Sequence, residues 1–107
     1  MQHLLEPRQQ TEHDKRLQQS PQFNVVLIDD DTHTFEYVIE MLALLFNHPA
    51  KMGLQIAHTV NDQGRAIVFT CHQELAELKR DQILGYGPDV LLKKSRGSML
   101  AVIEAVG

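Results

Sequence analysis

The sequence predicts an α+β fold: a two-layer β-α-α-β-α-β sandwich whose three-stranded antiparallel sheet carries helices packed on one face. Three observations point there. Short apolar, β-branched runs recur at "FNVVLI", "RAIVFT" and "MLAVIE", each bounded by turn chemistry or charge. Between them lie segments whose apolar residues repeat at spacings of three and four, the period of a helix face. Proline and glycine then punctuate those segments at Pro49, Gly64, Gly85 and Gly87.

In chain order, residues 1-22 are rich in Gln, Glu, Arg and Lys and hold Pro7 and Pro21, which predicts a flexible tail ahead of a core domain over 23-107. Within the tail only Leu4 to Leu17 has any helical pattern, and its periodicity is poor. "FNVVLI" reads as a buried strand. "HTFEYVIEMLALLFN" then sets Phe35, Val38, Ile39, Leu42, Leu45 and Phe46 on one helix face, with Thr32 or Thr34 available to cap it and Glu36 in its first turn. Pro49 ends that helix and opens "PAKMGLQIAHTV", with Met52, Ile56 and Val60 on one side. "VNDQG" reads as a turn and "RAIVFT" as the second strand. "CHQELAELKRDQILGYG" predicts an amphipathic helix on Leu75, Leu78, Gln82 and Ile83, stopped by its glycines. "PDVLLKKSRGS" is a basic connection, and "MLAVIE" closes the sheet.

Composition narrows the function. A chain of 107 residues with 43% hydrophobic content suits one domain, although one this small buries only about 60–65% of its unfolded surface. A net charge of −4 argues against nucleic acid, which asks for clustered Lys and Arg. The single cysteine, Cys71, forms no internal disulfide, so a reducing cytoplasm is the natural setting. Nothing approaches the roughly 18–20 apolar residues that span a bilayer, and the first residues lack the apolar stretch of a secretory signal. A soluble, cytoplasmic domain without membrane contact or cofactor is expected.

The run "IDDDTHTF" poses the chemical question, because three adjacent carboxylates repel one another. One of them capping the following helix is the plainest answer, but a helix start has room for one or two such oxygens, not three. A calcium loop wants alternating carboxylates and a central glycine, which are missing. His33 and His58 lack a second pair at zinc-ligand spacing. A phosphoryl-accepting receiver domain begins with such a strand and acidic pair, yet needs five strand–helix alternations and a later strand ending in Asp. Cys71 and His72 are adjacent, so their side chains diverge and make no nucleophile–base pair. No catalytic constellation emerges.

The acidic turn within "NVVLIDDDTHTFEYVIEML", the later His58, and "QGRAIVFTCHQELAELKRDQI" together resemble the ClpS adaptor family. The likeness runs from Phe23 to Ile83, and "MLAVIE" resembles the family's last strand. Its most specific parts are an Asn-Asp-Asp turn before the helix and a "GxAxxxxxxxxxAExK" pattern, which Gly64, Ala66, Ala76, Glu77 and Lys79 match. Such a resemblance implies a non-enzymatic adaptor. It would bind the free amino terminus of N-degron substrates with a bulky apolar first residue and deliver them to the amino-terminal domain of a ClpA- or ClpC-type AAA+ unfoldase. By the same likeness, Asp29, Asp30, Asp31 and His58 would hold the α-amino group. His33, Phe35, Val38 and Ala57 would line the side-chain pocket, Glu74 and Lys79 would face the unfoldase, and the tail would help engage it.

Departures are also legible. Asp29 stands where asparagine is usual, His33 where threonine is usual, and both "TVNDQ" and "LLKKSRGS" are longer than the family's connections. The role suits elementary chemistry, since an ammonium offers three donors and one charge to carboxylates and a neutral imidazole. Two alternatives stay open at this stage: a ClpS-like regulator of the unfoldase with altered or lost N-degron binding, and a divalent-metal domain built on Asp29, Asp30 and Asp31.

Overall fold

The computed structural model describes residues 20–107. Most of the expected tail, with the patch from Leu4 to Leu17, lies outside the described residues. Three strands, β1 (Gln22–Ile28), β2 (Arg65–His72) and β3 (Leu100–Ala105), form an antiparallel sheet of order β2-β1-β3. Helices α1 (Phe35–Phe46), α2 (Ala50–Gln63) and α3 (Gln73–Leu84) make the second layer. Fold class and element order are those the sequence predicts. Among the described residues, no helix is long and apolar enough to cross a membrane.

The middle strand explains its own composition. An unbroken apolar run suits a strand covered on both faces, and Val25, Val26 and Leu27 are each 0% exposed. Val25 and Leu27 join the helix-side core with Met41, Leu42, Ala57 and Ile83. Val26 points to the opposite face, flanked in register by Ile67 on β2 and Val102 on β3. An Arg65–Glu104 ion pair runs diagonally over that face, since Arg65 lies beside Ile28 and Glu104 beside Asn24. Between Val25 and Val26 the register against β2 shifts and leaves Val68 unpaired, a bulge. The Val68 carbonyl accepts a hydrogen bond from His48 Nε2 at 2.7 Å, which ties the α1–α2 corner to the sheet.

Several local expectations shift by small amounts. β2 continues through Cys71 and His72, pairing them with Phe23 and Gln22, so α3 starts two residues later than the periodicity suggested. Asn61, Asp62 and Gln63 belong to α2, which stops only where Gly64 turns left-handed at φ 84°. On α3, Ala76 and Ile83 are buried and Leu78 is 51% exposed. Two residues on from Ala76 is about 200° round a helix, so Leu78 faces away. On α2 the buried face is Gly53, Ala57 and Val60, with Met52 exposed. That face is small because α1 lies close: a Cβ on Gly53 would stand 3.2 Å from Ile39 Cα.

Gly53 therefore pits two effects against each other. Alanine gains about 1 kcal/mol of helix propensity, whereas overpacking a close helix contact costs about 1–3 kcal/mol. The obstructing atom is backbone and cannot swing away. Gly53→Ala should lower the urea midpoint, with a net loss of about 1 kcal/mol; a raised midpoint would show that α1 and α2 separate freely.

Candidate functional site

β1 delivers the chain into a tight turn, and each aspartate there has a different situation. The Asp29 N–H donates to the Gly64 carbonyl at 3.0 Å, which pins the end of β1 to the end of α2. Asp31 is exposed and left-handed at φ 62°, a conformation Asp tolerates better than most residues. Asp30 organises the turn: its Oδ1 accepts from the Thr32 N–H at 3.0 Å and from the Thr32 hydroxyl at 2.9 Å. That same oxygen lies 2.7 Å from His33 Nδ1. Burial alone would raise the Asp30 carboxyl, but the Thr32 N–H, then the His33 ring and the Thr32 hydroxyl, outweigh it and hold it below the ordinary carboxylate range. Oδ2 of Asp30 has no hydrogen-bond partner among the described residues, and the side chain is 26% exposed. None of the three caps α1. Thr34 does so, its Oγ1 accepting from the Tyr37 N–H at 3.1 Å.

His33 and the connection after α3 form the other half of this corner. The His33 side chain is 1% exposed, and its Nε2 donates to the Gly97 carbonyl at 2.8 Å. Its ring packs against Tyr37 at 4.5 Å between centroids. Tyr37 in turn donates its hydroxyl to the Gly87 carbonyl at 2.5 Å and meets Tyr86 edge-on. Residues 88–98, expected as a basic surface connection, are instead part of a segment, 85–99, that is laced together internally and tied to the domain at Gly87, Asp89 and Gly97. Ser98 Oγ accepts from the Gly87 N–H at 2.6 Å, and Ser95 Oγ from the Asp89 N–H at 2.8 Å. Asp89 itself is 3% exposed. Its Oδ2 accepts from the Thr34 N–H at 2.5 Å and its Oδ1 from the Leu91 N–H at 2.9 Å. Sequence reasoning missed Asp89, Ser95 and Gly97, because irregular loop contacts carry no period to detect. The only available hint was a lone acid in a basic connection.

The remaining pocket candidates lie beside the turn. Phe35, first residue of α1, meets the His58 ring edge-on at 4.7 Å between centroids. His58 is exposed on α2, while Val38 and Ala57 are buried in the core between the same two helices. The Phe35–His58 contact and the Asp29–Gly64 bond thus bring the acidic turn, Phe35 and His58 to one end of the molecule. His33 stands apart from that rim, turned toward Gly97. Two clefts lie elsewhere. One of about 200 Å³ runs between α1 and the connection, past Glu36, Glu40 and Tyr86. Another of about 220 Å³ is lined by Phe23, His72 and Glu74.

Of the two expected docking residues, Glu74 is exposed in the first turn of α3. Lys79 is engaged internally: its Nζ donates to the Leu45 carbonyl at 2.5 Å and sits 5.4 Å over the Phe46 ring. Burial pushes the Cys71 thiol up against the pull of Lys79, the opposite of an activated nucleophile. Among the described residues, no group of three His, Cys, Asp or Glu side chains is placed to hold a metal ion. The aspartates diverge, Asp30 toward His33 and Asp29 toward the Asp31 N–H at 3.4 Å.

A three-stranded sheet with one helical layer and an acidic turn at the end of its central strand defines a small α+β domain of a kind found in known adaptors. The family model for the ATP-dependent Clp protease adaptor protein ClpS matches residues 18–88. The chain belongs to the ClpS family, a family of adaptors. Its fold is similar to that of Agrobacterium tumefaciens ClpS2, solved bound to L-phenylalaninamide, with a TM-score of 0.70 and 23% identity over 80% of this chain and 98% of that one.

The buried carboxylate makes a pH prediction. Burial raises Asp89, but the Thr34 and Leu91 N–H groups outweigh that and hold it below the ordinary carboxylate range. A carboxyl with a lowered folded pKa adds stability that is present above its unfolded value of about 3.9 and lost as pH falls through the folded value. Wild-type urea midpoints should therefore fall below about pH 4 more steeply than those of Asp89→Asn. Parallel curves for the two proteins would show that Asp89 adds nothing to acid sensitivity.

Proposed function

We propose that this protein binds the free amino terminus of proteins beginning with a bulky apolar residue and delivers them to a ClpA- or ClpC-type unfoldase, without catalysis of its own. In this reading residues 23–107 are the binding domain and residues 1–22 the extension that engages the unfoldase. One observation carries it: Asp30 is ionised and held by one oxygen while the other is unpaired among the described residues. That oxygen stands at the same end of the molecule as the exposed His58. A carboxylate so prepared accepts a charge-assisted bond from an ammonium without reorganising. Support also comes from the similar fold of ClpS2, whose ligand, L-phenylalaninamide, carries a free α-amino group beside an apolar benzyl side chain.

Magnitudes fit an adaptor that must release its cargo. Each charge-assisted bond contributes roughly 1.5–3 kcal/mol, and burying a Leu or Phe side chain adds about 1.5–3 kcal/mol. Less the cost of immobilising a peptide end, two or three such bonds correspond to roughly micromolar affinity. Phe35, a proposed pocket residue, packs on His58, a proposed amine ligand, so the two are engaged with each other. The contact between those rings is also what favours the second reading, a regulator that binds the unfoldase with its own pocket filled.

Calorimetric titration with peptides starting Leu, Phe, Tyr, Trp, Arg and Gly separates the two. Micromolar binding is expected for the free bulky apolar starts, and acetylating the amino terminus should abolish it. Asp30→Ala should weaken binding by more than about 1.5 kcal/mol while unfolding remains cooperative. Unchanged affinity after acetylation would sink the amine site. Silence across the panel, with retained binding to an unfoldase amino-terminal domain, would select the regulator.

A further inference from the structure

His33 differs from every other candidate in that its side chain is 1% exposed yet makes polar contacts at both ring nitrogens. The Gly97 carbonyl can only accept, so Nε2 carries a proton. On the other side Nδ1 meets the Asp30 carboxylate at 2.7 Å, closer than it meets the Thr32 hydroxyl at 3.0 Å. Ser95 Oγ approaches Nε2 at 3.4 Å. The ring is thus a rigid spacer, packed on Tyr37, between a carboxylate in the turn and a carbonyl in the connection 64 residues further on.

From this geometry we propose that His33 is the positioning residue of the amine site: it clamps Asp30 Oδ1 to the 85–99 connection through Gly97, and so aims Oδ2 at the incoming ammonium. The proposal rests on the adaptor reading above. Thr32 alone does not fix the carboxylate in space, because its donors belong to the same turn and move with it. Gly97 does, since the connection is held on α1 through the Tyr37 hydroxyl at Gly87, at the start of α1 through Asp89, and in the core by the buried Met99. His33 is therefore not a wall of the side-chain pocket; it acts on the cargo's charge through Asp30. The connection becomes part of the recognition apparatus, and a change there is felt by the carboxylate some distance away.

The test is a double-mutant cycle on peptide affinity in the full chain, using Asp30→Asn and His33→Phe. Phenylalanine keeps the ring volume and the packing on Tyr37 and removes both ring nitrogens with their polar contacts. His33→Phe should weaken binding of a Leu-starting peptide about tenfold, the equivalent of one charge-assisted bond. The double variant should lose no more than Asp30→Asn alone, because His33 acts only through that carboxylate. Chemical shifts of the Gly97 and Ser98 amides should respond to peptide in wild type, and much less in His33→Phe. Urea midpoints report the fold separately, and His33→Gln, which keeps one donor, should restore part of the affinity. Wild-type affinity in a folded His33→Phe, or fully additive losses, would overturn the positioning role while leaving the amine site standing. A wild-type protein that binds no free amino terminus would remove the amine site and this role together.

Discussion

The arrangement turns on the Asp89 carboxylate, a charge buried at the start of α1. An ionised carboxylate withdrawn from water without donors costs several kcal/mol, so its position is dictated by where free N–H groups are. A helix start has them in surplus. The Thr34 N–H meets one oxygen and the Leu91 N–H the other, which joins the connection after α3 to the beginning of α1. Once that junction is made, Tyr37 and His33 are enclosed beneath the connection. The acidic turn, three residues upstream, then inherits a fixed geometry.

The sheet sets where that turn can be. β1 is the middle strand, covered by helices on one side and by its neighbours' Ile67 and Val102 on the other. A strand so enclosed cannot slip by one residue without turning its valines and leucine to the wrong faces. Its last residue, Ile28, therefore delivers Asp29 to Gly64 and not elsewhere. Gly64 serves two structures at once, since its left-handed φ ends α2 while its carbonyl holds Asp29. Acidic turn and α2 are held in register by backbone alone, which leaves all three carboxylates free of that duty.

What could be read from the sequence followed from periodicity. The apolar run of β1, the face of α1 on Val38 and Leu42, and the glycine stops of α2 and α3 are local signals, and the structure contains each of them. Misreadings occurred where tertiary packing chose among local options. Gly53 and Ala57 face the core in place of Met52 because α1 passes too close for a large side chain. Cys71 and His72 stay in β2 because Phe23 and Gln22 pair with them. At the candidate site, the acidic turn, Phe35 and His58 were legible as residue types in order, and the structure brings them to one end. The contacts Asp89–Thr34 and His33–Gly97 span 55 and 64 residues, and no pattern within a short window encodes them.

The three aspartates can now be weighed as an electrostatic unit. Asp30 stays ionised but has one oxygen engaged by its turn and by His33, which draws its charge to that side and away from its neighbours. Asp29 and Asp31 carry their charge beside it in a turn exposed on one flank, where solvent screens a simple surface pair to a small fraction of its strength. A diffuse acidic field of this kind attracts a cation weakly and from any direction. Fixing one carboxylate in orientation changes that character, because a hydrogen bond has an angle and a charge field does not. In the proposed amine site, preorganising a single oxygen would supply direction and the flanking charges attraction. Such a division would account for three adjacent carboxylates of which only the middle one meets a buried histidine.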